Sequence, residues 1–251
     1  MCGIIGFTGR KPAKDILIDG LERLEYRGYD SAGIALLNDD DTLTIRKKAG
    51  RVSELRELCK DGDYSSTCGI GHTRWATHGG VTDANAHPHR CGNVALIHNG
   101  IIENYSDIIR EYELADKLVS ETDSEVVAAL LDTLYDGDPI AAIRKAVKII
   151  AGSFALCIMF ADRPGIIYAV RNVSPMVAAH SEEGSIIASD LTAIISFSKD
   201  YFVVPEYHIL TMTQEGIRVE DLKGNEVKPQ MLEITWDITA AQKGGFPHFM
   251  L

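Results

Sequence analysis

A cysteine at position 2 carries the most chemistry in this chain. Once Met1 is removed, its thiol and a free α-amine belong to one residue, with ordinary pKa values of about 8.5 and about 7.7 to 8.0. An amine that is substantially deprotonated near pH 8 can take the thiol proton, directly or through a water, so nucleophile and base arrive together. Position alone favours a small apolar residue opening a core strand, so Cys2 needs company before it means catalysis.

Company is available in several stretches. Residues 71–79 read GHTRWATHG, in which Arg74 offers a planar fork for a carboxylate and Trp75, Thr77 and His78 follow on a loop after a strand. Trp75 is placed to cover a small ligand and exclude water, although an Arg-Trp pair also suits plain packing. The strand over 95–100 is expected to end at His98-Asn99-Gly100, so that the Asn99 side chain and the Gly100 N–H point beyond the sheet edge. Two such donors suit an oxyanion, each contributing roughly 3 kcal/mol in acyl transfer. Asn-Gly is also the commonest tight-hairpin signal, but a helix expected from residue 101 argues against that reading.

Residues 120–125, SETDSE, read first as a helix cap in which Thr122 or Asp123 accepts backbone N–H groups, and Asp123 can also serve a ligand amine. His87-Pro88-His89-Arg90-Cys91 alternates His and Cys as a metal site would, yet a single cluster without a second pair leaves coordination incomplete, and no metal is expected. Gly69-Ile70-Gly71 lacks the third glycine of a dinucleotide fingerprint.

The elements that must position these residues follow from periodicity. A buried strand is expected over 2–7, then a helix from Pro12 with Leu17, Leu21 and Leu24 on one face, ended by Gly28. An apolar run over 33–37, an Asp-rich turn over 38–41 and a run with Leu43 and Ile45 on one face read as a hairpin. A short helix with Val52, Leu55 and Leu58 precedes strands over 67–73 and 94–99, separated by a long polar loop that is a candidate binding element. Helices are expected over 101–114, 123–135 (with Val126, Val127, Leu130 and Leu131 inward) and 139–150. Short apolar segments over 155–160, 166–170, 176–179, 185–188, 201–204 and 208–212 read as strands. Strands, then helices, then strands again imply two sheets sandwiched with helices.

A chain of 251 residues can bury a sizeable core. Its formal net charge of −11 disfavours a nucleic-acid or anionic-membrane surface, so any anionic ligand must be held by a few local cations. The first ten residues lack a signal segment and no apolar run approaches the ~18 residues of a membrane span, so a cytoplasmic protein is expected. Five cysteines without CxxC spacing argue for a reducing compartment over a disulfide framework. The core can belong to one large domain or two small ones, and 243–251, KGGFPHFML, is the only linker-like stretch.

Taken together, MCGIIGF, LEYRGYDSAG at 24–33, GHTRWATHG, NAHPH at 85–89, HNGIIEN at 98–104 and SETDSE resemble, in identity and in order, the N-terminal domain of the glutamine-fructose-6-phosphate aminotransferase (isomerizing) family, the glucosamine-6-phosphate synthases. The resemblance covers the whole chain, with 243–250 similar to that family's link into its sugar-phosphate part. It implies an α+β fold, the four-layer αββα sandwich of N-terminal-nucleophile (Ntn) hydrolases, and a class II (type 2) glutamine amidotransferase domain over residues 1–242 with Cys2 as mature N-terminus. By the same resemblance Cys2 attacks the γ-amide of L-glutamine while Asn99 and Gly100 hold the oxyanion. Arg74, with Thr77 and His78, binds the α-carboxylate, Asp123 binds the α-ammonium, Trp75 belongs to a loop that closes over the site, and Arg27 and His87 support the pocket. A γ-glutamyl thioester releases ammonia and is then hydrolysed to glutamate, without a cofactor.

In the full-length enzymes, homodimers by the same resemblance, the ammonia passes to fructose 6-phosphate. Two sugar-isomerase domains follow this region there, so residues 1–251 by themselves are expected to hydrolyse glutamine without making the amino sugar. Phosphoribosyl-pyrophosphate amidotransferases and asparagine synthetases share the nucleophile, but LEYRGYDSAG and the stretch from 77 to 89 favour the sugar-phosphate family. A glutamine-sensing domain without turnover would also keep Arg74 and Asp123, and a glutaminase assay separates it.

Overall fold

Leu17, Leu21 and Leu24 recur at helical spacing and are wholly buried, and they pin α1 (Ala13–Leu24) onto the strand before it, β1 (Gly3–Gly9). The computed structural model describes residues 2–62, 64–76 and 79–235. After α1 come β2 (Ser31–Leu37), β3 (Leu43–Ala49), α2 (Val52–Leu58), β4 (Cys68–Arg74), β5 (His89–Cys91) and β6 (Val94–Ile102). The helical middle is α3 (Tyr105–Glu111), α4 (Asp123–Leu134) and α5 (Pro139–Ile149). Then follow β7 (Gly152–Phe160), β8 (Ile167–Asn172), β9 (Val177–Ser181), β10 (Gly184–Ala188), β11 (Asp200–Val203), β12 (His208–Thr213), β13 (Gly216–Asp221) and β14 (Leu232–Glu233).

These strands form two antiparallel sheets, one in the order β14-β11-β9-β10-β1-β4-β2-β3 and the other β13-β12-β8-β7-β6-β5. Three apolar layers glue the stack. One joins α1 and α2 to the first sheet through Leu17, Leu21, Val52, Leu55 and Ile34. A second lies between the sheets, with Ile4, Ile70, Ile97, Met159 and Leu210. A third joins α3, α4 and α5 to the second sheet through Ile108, Val127, Leu131, Ile143 and Leu156. The result is the expected αββα sandwich. Among the described residues no helix is long and apolar enough to cross a membrane.

Three expectations change. The helix expected over 101–114 begins only at Tyr105, because β6 runs on through Asn99 and Gly100 and pairs with β7 as far as Ile102 opposite Gly152. A non-local partner there satisfies backbone groups that local periodicity assigns to a helix. Leu58, expected on the buried face of α2, is 44 % exposed; a helix of seven residues docks through Val52 and Leu55 alone. Strands β5, β13 and β14 lie outside the expected set, since all three are short or polar and sit at or near a sheet edge, where the alternating apolar signal is weakest.

Strand alternation sets up the site. Cys68 and Ile70 of β4 and Ala95 and Ile97 of β6 fill the layer between the sheets, so two residues further on each strand the same face presents His72 and then Arg74, and Asn99. The apolar inter-sheet layer thus turns polar at one end.

Candidate active site

Because Gly3 pairs with Thr73, Cys2 arrives beside the Arg74–Trp75 step at that polar end. Its sulfur accepts the Trp75 N–H at 3.2 Å and lies 3.5 Å from the Trp75 carbonyl oxygen, to which the thiol donates. Burial pushes the thiol up, and the Trp75 N–H and the charges of Arg74 and Arg27 only partly oppose it. The Cys2 carbonyl accepts from Asn99 Nδ2 at 3.0 Å and from Arg27 Nε at 3.3 Å. Arg27 is in turn held by Asp190 at 3.0 Å, which also accepts the Tyr26 hydroxyl at 2.8 Å.

The turn after α1 lies flat on this step. Asp30 N–H donates to Arg74 O at 3.0 Å and its carboxylate accepts Ala76 N–H at 2.9 Å. A Cβ at Gly28 would stand 2.8 Å from Arg74 C and Trp75 N, so only glycine lets the two segments approach. The Trp75 ring rests edge-on against Tyr29, 5.8 Å between centroids, and is 46 % exposed.

Asn99 and Gly100 follow different rules from those of a strand end. Gly100 sits mid-strand at φ +135°, and a Cβ there would meet Ser153 O at 2.0 Å. Gly100→Ala is expected to lower the unfolding free energy by about 1 to 3 kcal/mol, the cost of holding a non-glycine residue in a disallowed conformation. An unchanged midpoint in urea unfolding would contradict that.

Thr122 takes the cap of α4, accepting Glu125 N–H at 3.3 Å, which leaves Asp123 for other work. One Asp123 oxygen accepts Ile102 N–H at 2.8 Å and the other the Ser124 hydroxyl at 3.3 Å. Glu125 reaches back past Thr122 to the Val119 and Ser120 N–H groups. Arg74 donates to Gly80 O at 3.0 Å and Gly79 O at 3.5 Å, and Glu121 accepts from Gly80 N–H and Asn85, so this loop is docked from both sides.

A cleft of about 310 Å³, counting its open mouth, is lined by Cys2, Arg74, Trp75, His87, Gly100 and Asp123, together with His98, Thr122 and Ser124. Asn99 and Arg27 both reach Cys2 through its backbone carbonyl. Thr77 and His78 lie outside the described residues.

His87, His89 and Cys91 do not converge on a common point. The His87 ring packs against His72 and His89, with centroids 4.1 and 4.6 Å away, and its Nδ1 accepts the His98 N–H at 3.4 Å. His89 pairs with the Thr122 hydroxyl at 2.9 Å, and Cys91 lies against Asp132. Among the described residues no group of three or more His, Cys, Asp or Glu is arranged to hold a metal ion. Burial keeps the ring of His72 neutral, pushed down to about 3, and lowers His87, His89 and His98 likewise. His72 and Ser124 are site residues that the sequence reading misses; alternation along β4 from Arg74 is the available signal for His72.

Residues 72–196 match the profile of the glutamine amidotransferase domain. Across its full length the chain is 42 % identical to glutamine–fructose-6-phosphate aminotransferase [isomerizing] of Clostridium tetani and 44 % identical to that of Thermus thermophilus. The chain belongs to the glutamine amidotransferases. It spans about 42 % of the length of those relatives. Its fold is shared with a Bacillus subtilis glutamine phosphoribosylpyrophosphate amidotransferase complexed with ADP and GMP (TM-score 0.76, 24 % identity, 90 % of this chain and 50 % of that one). An allosteric regulatory enzyme of purine biosynthesis superposes with TM-score 0.75 at 26 % identity, over 89 % of this chain and 50 % of its own. This amidotransferase domain therefore has the N-terminal-nucleophile sandwich, with Cys2 immediately before its first strand.

Proposed function

We propose that this domain hydrolyses L-glutamine to glutamate and ammonia through a γ-glutamyl thioester on Cys2, and that in a protein of its relatives' length the ammonia goes to fructose 6-phosphate. What supports the reading most is one juxtaposition: Cys2, Arg74, Gly100 and Asp123, drawn from both sheets and a helix, meet in one cleft with Asn99 on the nucleophile's carbonyl. A thiol kept protonated by burial needs a base, and the α-amine freed by loss of Met1 is the nearest one. Proton transfer to that amine leaves the thiolate to add to the amide carbon, and Asn99 Nδ2 and Gly100 N–H take the charge on oxygen. Return of the proton to the leaving nitrogen expels ammonia, and water then opens the thioester.

Arg74 and Asp123 would fix the two charged ends of the substrate. Thr77 and His78 are proposed as further carboxylate contacts, Trp75 as a cover, and His87 and Arg27 as supports. Residues 1–242 would form the glutaminase unit and 243–251 the start of a linker, with two copies pairing in the longer protein, which the mass in solution tests. Mass spectrometry is expected to find Cys2 at the N-terminus of active protein, and a retained Met1 is expected to abolish turnover. Active protein that keeps Met1 would remove the amine from the mechanism.

Arg74→Ala is expected to raise the glutamine KM by about 10- to 100-fold, the worth of a charge-assisted bond made in ground and transition states alike. A large fall in kcat at unchanged KM contradicts the assignment.

A further inference from the structure

His72 on β4 brings one ring nitrogen within reach of two oxygens: Nε2 lies 3.1 Å from His98 O and 3.0 Å from Asn99 Oδ1. A backbone carbonyl only accepts, so Nε2 carries the hydrogen. That decides which way the Asn99 carboxamide points. With its oxygen toward His72, the amide accepts the ring N–H and its NH2 donates to Cys2 O at 3.0 Å. Rotated by half a turn, it would set NH2 against a protonated nitrogen and its oxygen against the Cys2 carbonyl, two repulsions in place of two bonds.

The rest of the ring has no competing polar task. His72 is 1 % exposed, its face lies on His87 at 4.1 Å, and its Nδ1 is buried with no hydrogen-bond partner among the described residues. Burial keeps the ring neutral, with a single N–H to place.

We propose that His72 is a positioning residue of the amidotransferase site: its Nε2–H holds the Asn99 carboxamide with one amide hydrogen on Cys2 O and the other facing the oxyanion that forms when sulfur adds to the substrate amide. This deepens the glutaminase reading and rests on it. His72 touches no reacting atom; it acts only through Asn99.

The test is glutaminase kinetics of the intact protein. His72→Gln offers an N–H near the Nε2 position, whereas His72→Asn offers one only near Nδ1. His72→Gln is expected to keep kcat within about threefold, and His72→Asn to lose about 100-fold in kcat at nearly constant KM, the scale of one misdirected oxyanion donor. In an Asn99→Ala background, His72→Asn should cost less than about twofold more, since residues acting as one unit are not additive. If His72→Asn does not fold, His72→Met, of similar bulk and without an N–H, takes its place in the cycle. Equal losses for the Gln and Asn variants, a change confined to KM, or full additivity with Asn99→Ala overturns the proposal. Turnover by a Cys2→Ala protein would instead sink the glutaminase reading, a result no His72 variant can mimic.

Discussion

Cys2→Ala is expected to lower glutamine hydrolysis by about 10⁴-fold or more, because removing the proposed covalent nucleophile leaves only binding and oxyanion stabilisation. The fold should survive. The side chain is half-buried, its sulfur is hydrogen-bonded to the Trp75 backbone, and the carbonyl that ties Asn99 and Arg27 together belongs to the backbone and stays. Loss of one acceptor for the Trp75 N–H costs on the order of 1 kcal/mol, well inside the stability of an ordinary domain. Ammonia release measured alongside thermal unfolding separates the two effects. A variant that folds and still releases ammonia at the parent rate removes Cys2 from the chemistry.

Stability is expected to fall steeply as pH drops below about 6.5. Burial depresses the folded-state pKa of His72, His87, His89 and His98, with Asp123 opposing this at His98 and Arg74 adding to it at the other three. The unfolded chain therefore binds more protons than the folded one below the unfolded histidine value, so stability is full above that pH and is lost as pH falls. Each such ring forfeits up to about 1.4 kcal/mol per pH unit. His72, pushed down to about 3, resists protonation throughout this range, and acid unfolding is expected to set in below the ordinary histidine value, before most carboxylates titrate. Urea unfolding followed from pH 7 to 5 checks it, with His89→Gln expected to flatten the dependence. A midpoint that stays level across that range would mean that the cluster is hydrated or already charged.

The thiol at position 2, the motif order and the sandwich were legible because each is written locally. Leu17, Leu21 and Leu24 at helical spacing specify a docked helix whatever lies beneath it, and alternating strand residues specify a two-faced sheet. The end of β6 was not legible. Whether Gly100 closes a strand or continues one depends on β7, whose pairing residue Phe154 lies far along the chain. Edge strands β13 and β14 escaped for the same reason, since their backbone partners, not their side chains, make them strands.

Sequence by itself therefore determined which groups are present: a thiol at position 2, a carboxamide at 99, a guanidinium at 74, a carboxylate at 123 and a run of histidines. Only the tertiary structure decided their employment. It made Thr122 the cap and freed Asp123, turned His87 and His89 into packed neutral rings, and set His72 under Asn99. Periodicity reports which face of an element is buried, whereas a hydrogen bond's partner is fixed by registers between strands that sequence places far apart, such as β1 on β4.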